Sequence, residues 1–207
     1  MARSLLSTLR DCALALAVTL AASAQDNNSD ELQFTAGPFV LDGPTNMMRA
    51  QQPRIMQGNL LITADNVLAT GFEFDQAGEF RLTGNVRVEA ENASMQANSA
   101  VFMYANGRLS RGELVGTPVS FSAFDSATQR NVTGHAGAMS YDTVASTLRM
   151  TGDALVQIET REVLGCDLIY DFRAERVTSG SADCAEKFRV RIRRDVEAEA
   201  AAPDPPQ

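Results

Sequence analysis

The sequence contains no tryptophan, a single histidine and a single lysine, Lys187, among its 207 residues. Any metal centre or Ser-His-Asp relay would need His135, which follows Gly134 in a predicted strand and has no second histidine to join it. We therefore interpret His135 as a polar side chain on the outer face of a strand. The formal net charge of −8 gives no electrostatic basis for binding nucleic acid. A glycine-rich phosphate-binding loop is missing as well, so the sequence gives no basis for nucleotide hydrolysis by this chain.

Long hydrophobic runs are scarce, and the one present, at 12–21, lies near the N-terminus. Arg3 and Arg10 precede it and Ala22-Ser23-Ala24 follows it, which is the pattern of a cleaved signal peptide over residues 1–24. The run is shorter than the roughly 20 apolar residues that span a bilayer. An uncleaved membrane anchor is the alternative interpretation. The pattern favours export of a mature chain to the periplasm.

Composition divides the remainder of the chain into three parts. Residues 25–57 are interpreted as an N-terminal leader that is partly disordered or adds strands. Residues 58–194 form the predicted β-rich domain. Residues 195–207 are acidic and proline-rich, cannot bury a core, and are predicted to be a disordered tail.

Cysteine is scarce too, because Cys12 would leave with the signal peptide and only Cys166 and Cys184 would stay. An oxidising compartment permits a disulfide between them. A hairpin that turns at 172–175, however, would place Cys166 opposite residue 181 rather than Cys184. The sequence therefore leaves open a disulfide or two independent thiols.

What the sequence does contain is a repeated β-strand pattern. Residues 148–158 repeat the pattern of residues 80–90 after an interval of 68 positions, and in both segments every second residue is apolar. Because side chains alternate faces along a strand, each segment is predicted to be a strand with one apolar face. Gly84 and Gly152 stand at the equivalent interior point, where glycine marks a bulge or bend.

The same alternation continues between short polar breaks, without helical periodicity. Asn106-Gly107 predicts a type I′ hairpin turn, and two separate strands are predicted at 108–115 and 117–124. Short connections make neighbouring strands antiparallel. The sequence therefore predicts an all-β fold, either an elongated open roll or a compact sandwich.

Six motifs in order resemble those of the OstA-like, LptA-type periplasmic lipopolysaccharide-transport proteins. They cover residues 60–182 and read Phe80-x-Leu82-Thr83-Gly84-Asn85-Val86, Ala97-x-x-Ala100 to Tyr104, Gly116-Thr117-Pro118-Val119-Ser120-Phe121, Gly134-His135-Ala136-x-x-Met139-x-Tyr141-Asp142, Leu148-x-Met150-Thr151-Gly152-Asp153-Ala154 and Gly165-Cys166-Asp167-x-Ile169-Tyr170. The resemblance implies an elongated, twisted antiparallel β-jellyroll, open on one side, whose interior holds the acyl chains of lipid A. It also implies end-to-end stacking that bridges an inner-membrane lipopolysaccharide transporter subunit and an outer-membrane translocon. Neither catalysis nor a cofactor is implied.

Matching the motifs of that family suggests which residues would line a lipid groove. The positions matched directly are Leu60, Ile62, Phe121, Met139 and Tyr141. Neighbours on the same strand faces extend the lining to Val119, Leu148, Met150, Val156, Leu168 and Tyr170. The competing interpretation is that all of these side chains form an ordinary hydrophobic core.

The last predicted strand, 187–193, alternates cations with apolar residues. Phe188, Val190 and Ile192 share one face, and the strand is interpreted either as an edge guarded by charge or as an edge for assembly, including a head-to-tail homo-oligomer.

Two alternatives to a soluble carrier stay open. One is a membrane-anchored LptC-type subunit, and the other is a secreted structural or adhesive β-solenoid. A solenoid would show repeats of about 20–30 residues, and the longer repeat seen here disfavours it.

Overall fold

The computed structural model describes residues 31–71, 77–125, 128–180 and 188–192. All regular structure in these ranges is β-strand. The predicted signal peptide, the acidic tail and Cys184 lie outside them. The strands are β1 (Gln33–Thr35), β2 (Phe39–Asp42), β3 (Met47–Gln51), β4 (Arg54–Gln57), β5 (Leu60–Thr63), β6 (Asn66–Thr70), β7 (Gly78–Ala90), β8 (Ala93–Ala105), β9 (Arg108–Asp125), β10 (Arg130–Asp142), β11 (Thr147–Ile158), β12 (Arg161–Asp171), β13 (Arg176–Ser179) and β14 (Arg189–Ile192).

The 14 strands form one antiparallel sheet that does not close into a barrel. Strands β7 to β12 pair in sequence order, as expected for strands joined by short turns. At each end the sheet divides. Strands β5 and β6 share one edge of β7, and β13 and β14 share one edge of β12. The predicted all-β jellyroll, open on one side, is confirmed.

In the long strands β7 to β12 the pairing registers shift at positions that align across the sheet, and we call this line the fold line; β8 and β9 have one further shift, between Met103 and Tyr104. The pairing registers shift between Thr83 and Val86, Gln96 and Ser99, Ala136 and Ala138, and Thr151 and Ala154. The repeated glycines lie on this line in left-handed backbone, at φ 76° for Gly84 and 75° for Gly152. Residues without a Cβ adopt that conformation without strain, so the bends predicted from the repeat are confirmed.

The fold line separates two arms of the sheet. Arm I contains residues 78–83, 99–115, 138–151 and 167–171, together with β2, β3, β6 and β13. Arm II contains residues 86–97, 119–136 and 154–165, together with β1, β4, β5 and β14. Each of the six strands β7 to β12 therefore contributes one part to each arm, whereas the shorter strands lie in one arm only.

The apolar faces of the two arms pack against each other in one core. Phe34 of arm II stacks on Phe80 of arm I at 5.8 Å between ring centroids. Phe121 of arm II lies 6.3 Å from Tyr170 of arm I. Buried side chains come from alternate positions, as in the buried Phe80, Leu82, Val86 and Val88 of β7, because successive side chains point to opposite faces.

Several local predictions can be compared with the structure. The hairpin turn at Asn106-Gly107 has φ 53° and 67°, as a type I′ turn requires. The predicted break at Gly116 is wrong, because β9 is a single strand whose register shifts there while pairing continues on both sides. Residues 33–57, which belong to the segment predicted as a leader that is partly disordered or adds strands, form β1 to β4, all paired within the sheet.

Candidate functional site

The arms are joined at the fold line and separate at their opposite margins, which we call the free edges. In arm II the free edge includes the turns after β4, β7, β9 and β11, and in arm I it includes the turns after β8, β10 and β12. A cavity of about 380 Å³ opens between them. Its apolar lining comes from both arms and comprises Leu60, Val88, Ala90, Ala93 and Met95 of arm II with Phe102, Leu109, Leu114, Tyr141 and Phe172 of arm I.

A second cavity, of about 300 Å³, continues the first along the free edges. Both cavities are bordered by Ala90, Ala93 and Phe172, so they form one elongated cleft. Phe172 packs edge-on against Tyr170 at 4.8 Å and against Tyr141 at 6.0 Å between ring centroids. This aromatic cluster forms the arm I side of the cleft.

The side chain of Tyr141 is half-buried at the cleft. Burial raises the pKa of its phenol above the usual value, the nearby Arg173 guanidinium lowers it, and the Asp142 carboxylate raises it. The hydroxyl is therefore neutral near pH 7 and available as a hydrogen-bond donor. Arg173 itself donates from Nη2 to the backbone oxygen of Val144 at 3.0 Å. A polar rim that includes the cations of Arg111 and Arg173 thus borders an apolar interior.

Two aspartates shape the arm I turns at this rim. Asp142 Oδ1 accepts hydrogen bonds from the backbone amides of Val144 and Ala145 at 2.9 and 2.8 Å. Asp171 Oδ1 accepts the amides of Arg173 and Ala174, both at 2.9 Å. The amide of Ala174, followed by that of Arg173, holds the pKa of Asp171 below its ordinary value. Carboxylates at the first position of a turn commonly bond in this way.

The predicted lining residues separate into two groups. Leu60 and Tyr141 border the larger cavity, and Tyr170 borders the smaller one. The other eight are at most 4% exposed and pack inside the core between the arms: Ile62, Val119, Phe121, Met139, Leu148, Met150, Val156 and Leu168. All eleven therefore lie on the interior side of the sheet.

The sequence prediction did not include several residues that line the cleft. Met95 pairs directly with Phe121 across β8 and β9, and paired residues share a face. Val88 pairs with Met95 in turn. The alternation of β7 and β8 could have identified both residues. Phe172 lies in a turn, where no alternation exists, so its place at the cleft carried no such signal.

Exposed apolar side chains also mark the two ends of the sheet. Strand β14 pairs with residues 161–164 of β12, and Phe188, Val190 and Ile192 are 65%, 53% and 72% exposed. At the opposite end, Phe39 and Val40 of β2 are 64% and 68% exposed. No described strand pairs with the outer side of either β2 or β14.

Other candidate residues lie away from the cleft. His135 is exposed on β10, and the described ranges hold no group of three or more potential metal-binding side chains. Cys166 is disulfide-bonded, with its partner outside the described residues. The hairpin register runs from Asp171↔Arg176 to Leu168↔Ser179, and residue 181, which was predicted opposite Cys166, lies outside the described residues. Within the described ranges, no helix of sufficient length and hydrophobicity to cross a bilayer is found.

Comparison with known proteins agrees with this geometry. LptH of Pseudomonas aeruginosa, described as the LptA-homologous periplasmic component of the conserved lipopolysaccharide transport device, has a similar structure with a TM-score of 0.50 and 12% sequence identity. The match covers 80% of this chain and 99% of LptH. A search among curated protein sequences gives no match. The family model described as LptA/(LptD N-terminal domain) LPS transport protein matches residues 66–176, and the chain belongs to that family.

Proposed function

We propose that this protein is a non-enzymatic periplasmic carrier of lipopolysaccharide that holds lipid A acyl chains between its arms. The observation that carries this proposal is the apolar cleft along the free edges, which is lined by side chains from both arms. Burial of acyl chains is favourable by about 0.8 kcal/mol per CH₂. The eight buried residues of the predicted lining extend the apolar surface inward and would meet the chains where the arms part.

A pair of adjacent substitutions on β8 tests the cleft. Met95→Arg places a charge among apolar side chains, while Gln96→Arg places the same charge on the opposite, exposed face of the strand. Met95→Arg is expected to weaken capture of lipopolysaccharide by at least about tenfold, and Gln96→Arg to leave it unchanged. Capture is measured by co-sedimentation of purified protein with labelled rough lipopolysaccharide, with circular dichroism to check folding.

An uncharged variant keeps this test valid if Met95→Arg fails to fold. Ala93→Trp fills the cleft from the turn after β7 without burying a charge. We expect it to reduce capture as well. Folded Ala93→Trp that captures as much lipopolysaccharide as the wild type would rule out the cleft as the binding site.

We propose further that the two ends of the sheet are the surfaces through which the carrier bridges inner-membrane and outer-membrane components. The exposed faces of β2 and β14 support this, since an open strand edge accepts another strand through backbone hydrogen bonds. Val190→Pro removes one backbone donor and is expected to weaken association with itself or with a neighbouring transport component. Sedimentation across a concentration series measures this, and unchanged association of the folded variant would refute it.

A further inference from the structure

The free edges of the two arms are linked at one end of the cleft by the side chain of Gln57. Gln57 lies at the end of β4 in arm II. Its Nε2 donates to the backbone oxygen of Gly107 at 3.2 Å, and its Oε1 accepts the amide of Leu109 at 3.0 Å. Both partners flank the turn between β8 and β9 in arm I. One partly buried amide thus makes a two-bond contact with backbone across the cleft.

At the other end of the cleft the arms are linked by an ion pair. Arg130 begins β10 in arm II, and its Nη2 lies 2.8 Å from Oε2 of Glu175 in the turn after β12. The Nε of Arg130 donates to Thr128 Oγ1 at 2.9 Å, which orients the guanidinium. The side chains are 34% and 37% exposed, so solvent ions screen their attraction.

The cleft occupies the interval between these two links. Its smaller cavity is bordered by Glu175 itself, and its larger cavity by Leu60 and Leu109, which lie next to the Gln57 link. A chain entering sideways between the free edges would therefore pass between Gln57 and the Arg130–Glu175 pair.

Within each free edge, hydrogen bonds also connect neighbouring parts of the same arm. In arm I the amide of Phe172 donates to the backbone oxygen of Ser146 at 3.1 Å, which joins two neighbouring turns. In arm II the amide of Phe124 donates to the backbone oxygen of Asn92 at 2.8 Å. These two bonds within the edges join backbone to backbone, whereas both links across the cleft depend on side chains. The edges are thus built to separate as units.

We propose that Gln57 and the Arg130–Glu175 pair are two clasps that hold the cleft closed, and that lateral entry of acyl chains opens it at the ion pair. The exposed ion pair releases first because water and salt replace its attraction readily, whereas the partly buried Gln57 amide keeps both of its backbone partners. The Gln57 end then acts as the fixed end of the opening. This proposal rests on the proposed function, since the arms need to part only if a ligand enters between them.

Covalent closure of the ion-pair clasp tests the proposal. In the double variant Arg130→Cys/Glu175→Cys, a short bis-maleimide spacer joins the two edges without reduction of the disulfide at Cys166. The matched control is Glu79→Cys/Arg81→Cys, an ion pair of 2.6 Å within one strand of arm I. Stopped-flow uptake of fluorescent rough lipopolysaccharide is expected to slow by at least about tenfold in the first protein and to change little in the control.

Removal of the clasp is expected to do the opposite. Glu175→Gln should speed uptake about two- to fivefold at low salt, the range of a surface ion pair. Added salt should speed uptake by the wild type and leave the variant unchanged, because only the wild type has an ion pair at this link between the arms. If the linked and unlinked proteins take up lipopolysaccharide at the same rate and still capture it, the proposal of two clasps is wrong, whereas the proposed carrier function is unaffected. A wild type that captures no lipopolysaccharide would overturn both.

Discussion

The fold line and the free edges are the two long margins of the same pair of arms, and they are held by different forces. At the fold line, six strands pass from one arm to the other, so the margin is covalent and its angle is set by backbone geometry. At the free edges, the arms meet through the side chain of Gln57 and one partly exposed ion pair. This comparison supports the proposal that one margin is permanent and the other separable, as the proposed carrier function requires.

The fold line itself is built in two ways in the two halves of the repeat. In the first half, Asp65 Oδ2 accepts a hydrogen bond of 2.8 Å from Asn85 Nδ2, and its backbone amide donates to the oxygen of Gly84 at 2.9 Å. In the second half, Gly137 faces Gly152 with no side chain between them. The first bend is thus filled by a carboxylate, and the second has only backbone.

The largest expected effect comes from Gly84→Ala. A Cβ at Gly84 would meet the carboxylate of Asp65 and would also require a left-handed backbone for alanine. We expect a loss of about 2–4 kcal/mol in the free energy of unfolding. Gly152→Ala has the same backbone strain without the contact, so about 1–2 kcal/mol is expected. Urea unfolding followed by circular dichroism measures both.

A double variant identifies the cause of that difference. In an Asp65→Gly background the carboxylate is gone, so Gly84→Ala should cost no more than Gly152→Ala does. Two results would contradict this explanation. One is a loss in the free energy of unfolding from Gly84→Ala that stays large without Asp65. The other is an equal loss in the two single variants, which would mean that the same structural feature forms both bends.

A smaller effect is expected at the free edge, where Asp171 holds the turn after β12. Its folded-state pKa is lowered chiefly by the amide of Ala174. The stabilisation is therefore complete at neutral pH and is lost as the pH falls through that lowered pKa. Asp171→Asn keeps an oxygen acceptor and does not titrate. Thermal unfolding from pH 7 to pH 3 should show the wild type losing stability relative to the variant below about pH 4, whereas parallel curves would contradict this.

The fold line could be predicted from the sequence to a greater extent than the free edges. Alternation along 80–90 and 148–158 identified the interior faces, and Gly84 and Gly152 identified the bends, because both signals are local. The two clasps, in contrast, could not be predicted from any local sequence pattern. Gln57 and Gly107 are 50 residues apart, and an amide that bonds to backbone needs no complementary residue type at its partner. The break of β9 predicted at Gly116 failed for a related reason, since a bulge and a turn use the same residues.

The number of strands in the sheet also sets the length of the molecule. Ten strands follow one another along its main path, and neighbouring strands lie about 4.8 Å apart, so one molecule extends about 45 Å across its strands. That length depends on the number of strands and not on their sequence. Duplication of one hairpin would add about 10 Å, so the length of the molecule across its strands would change in fixed increments.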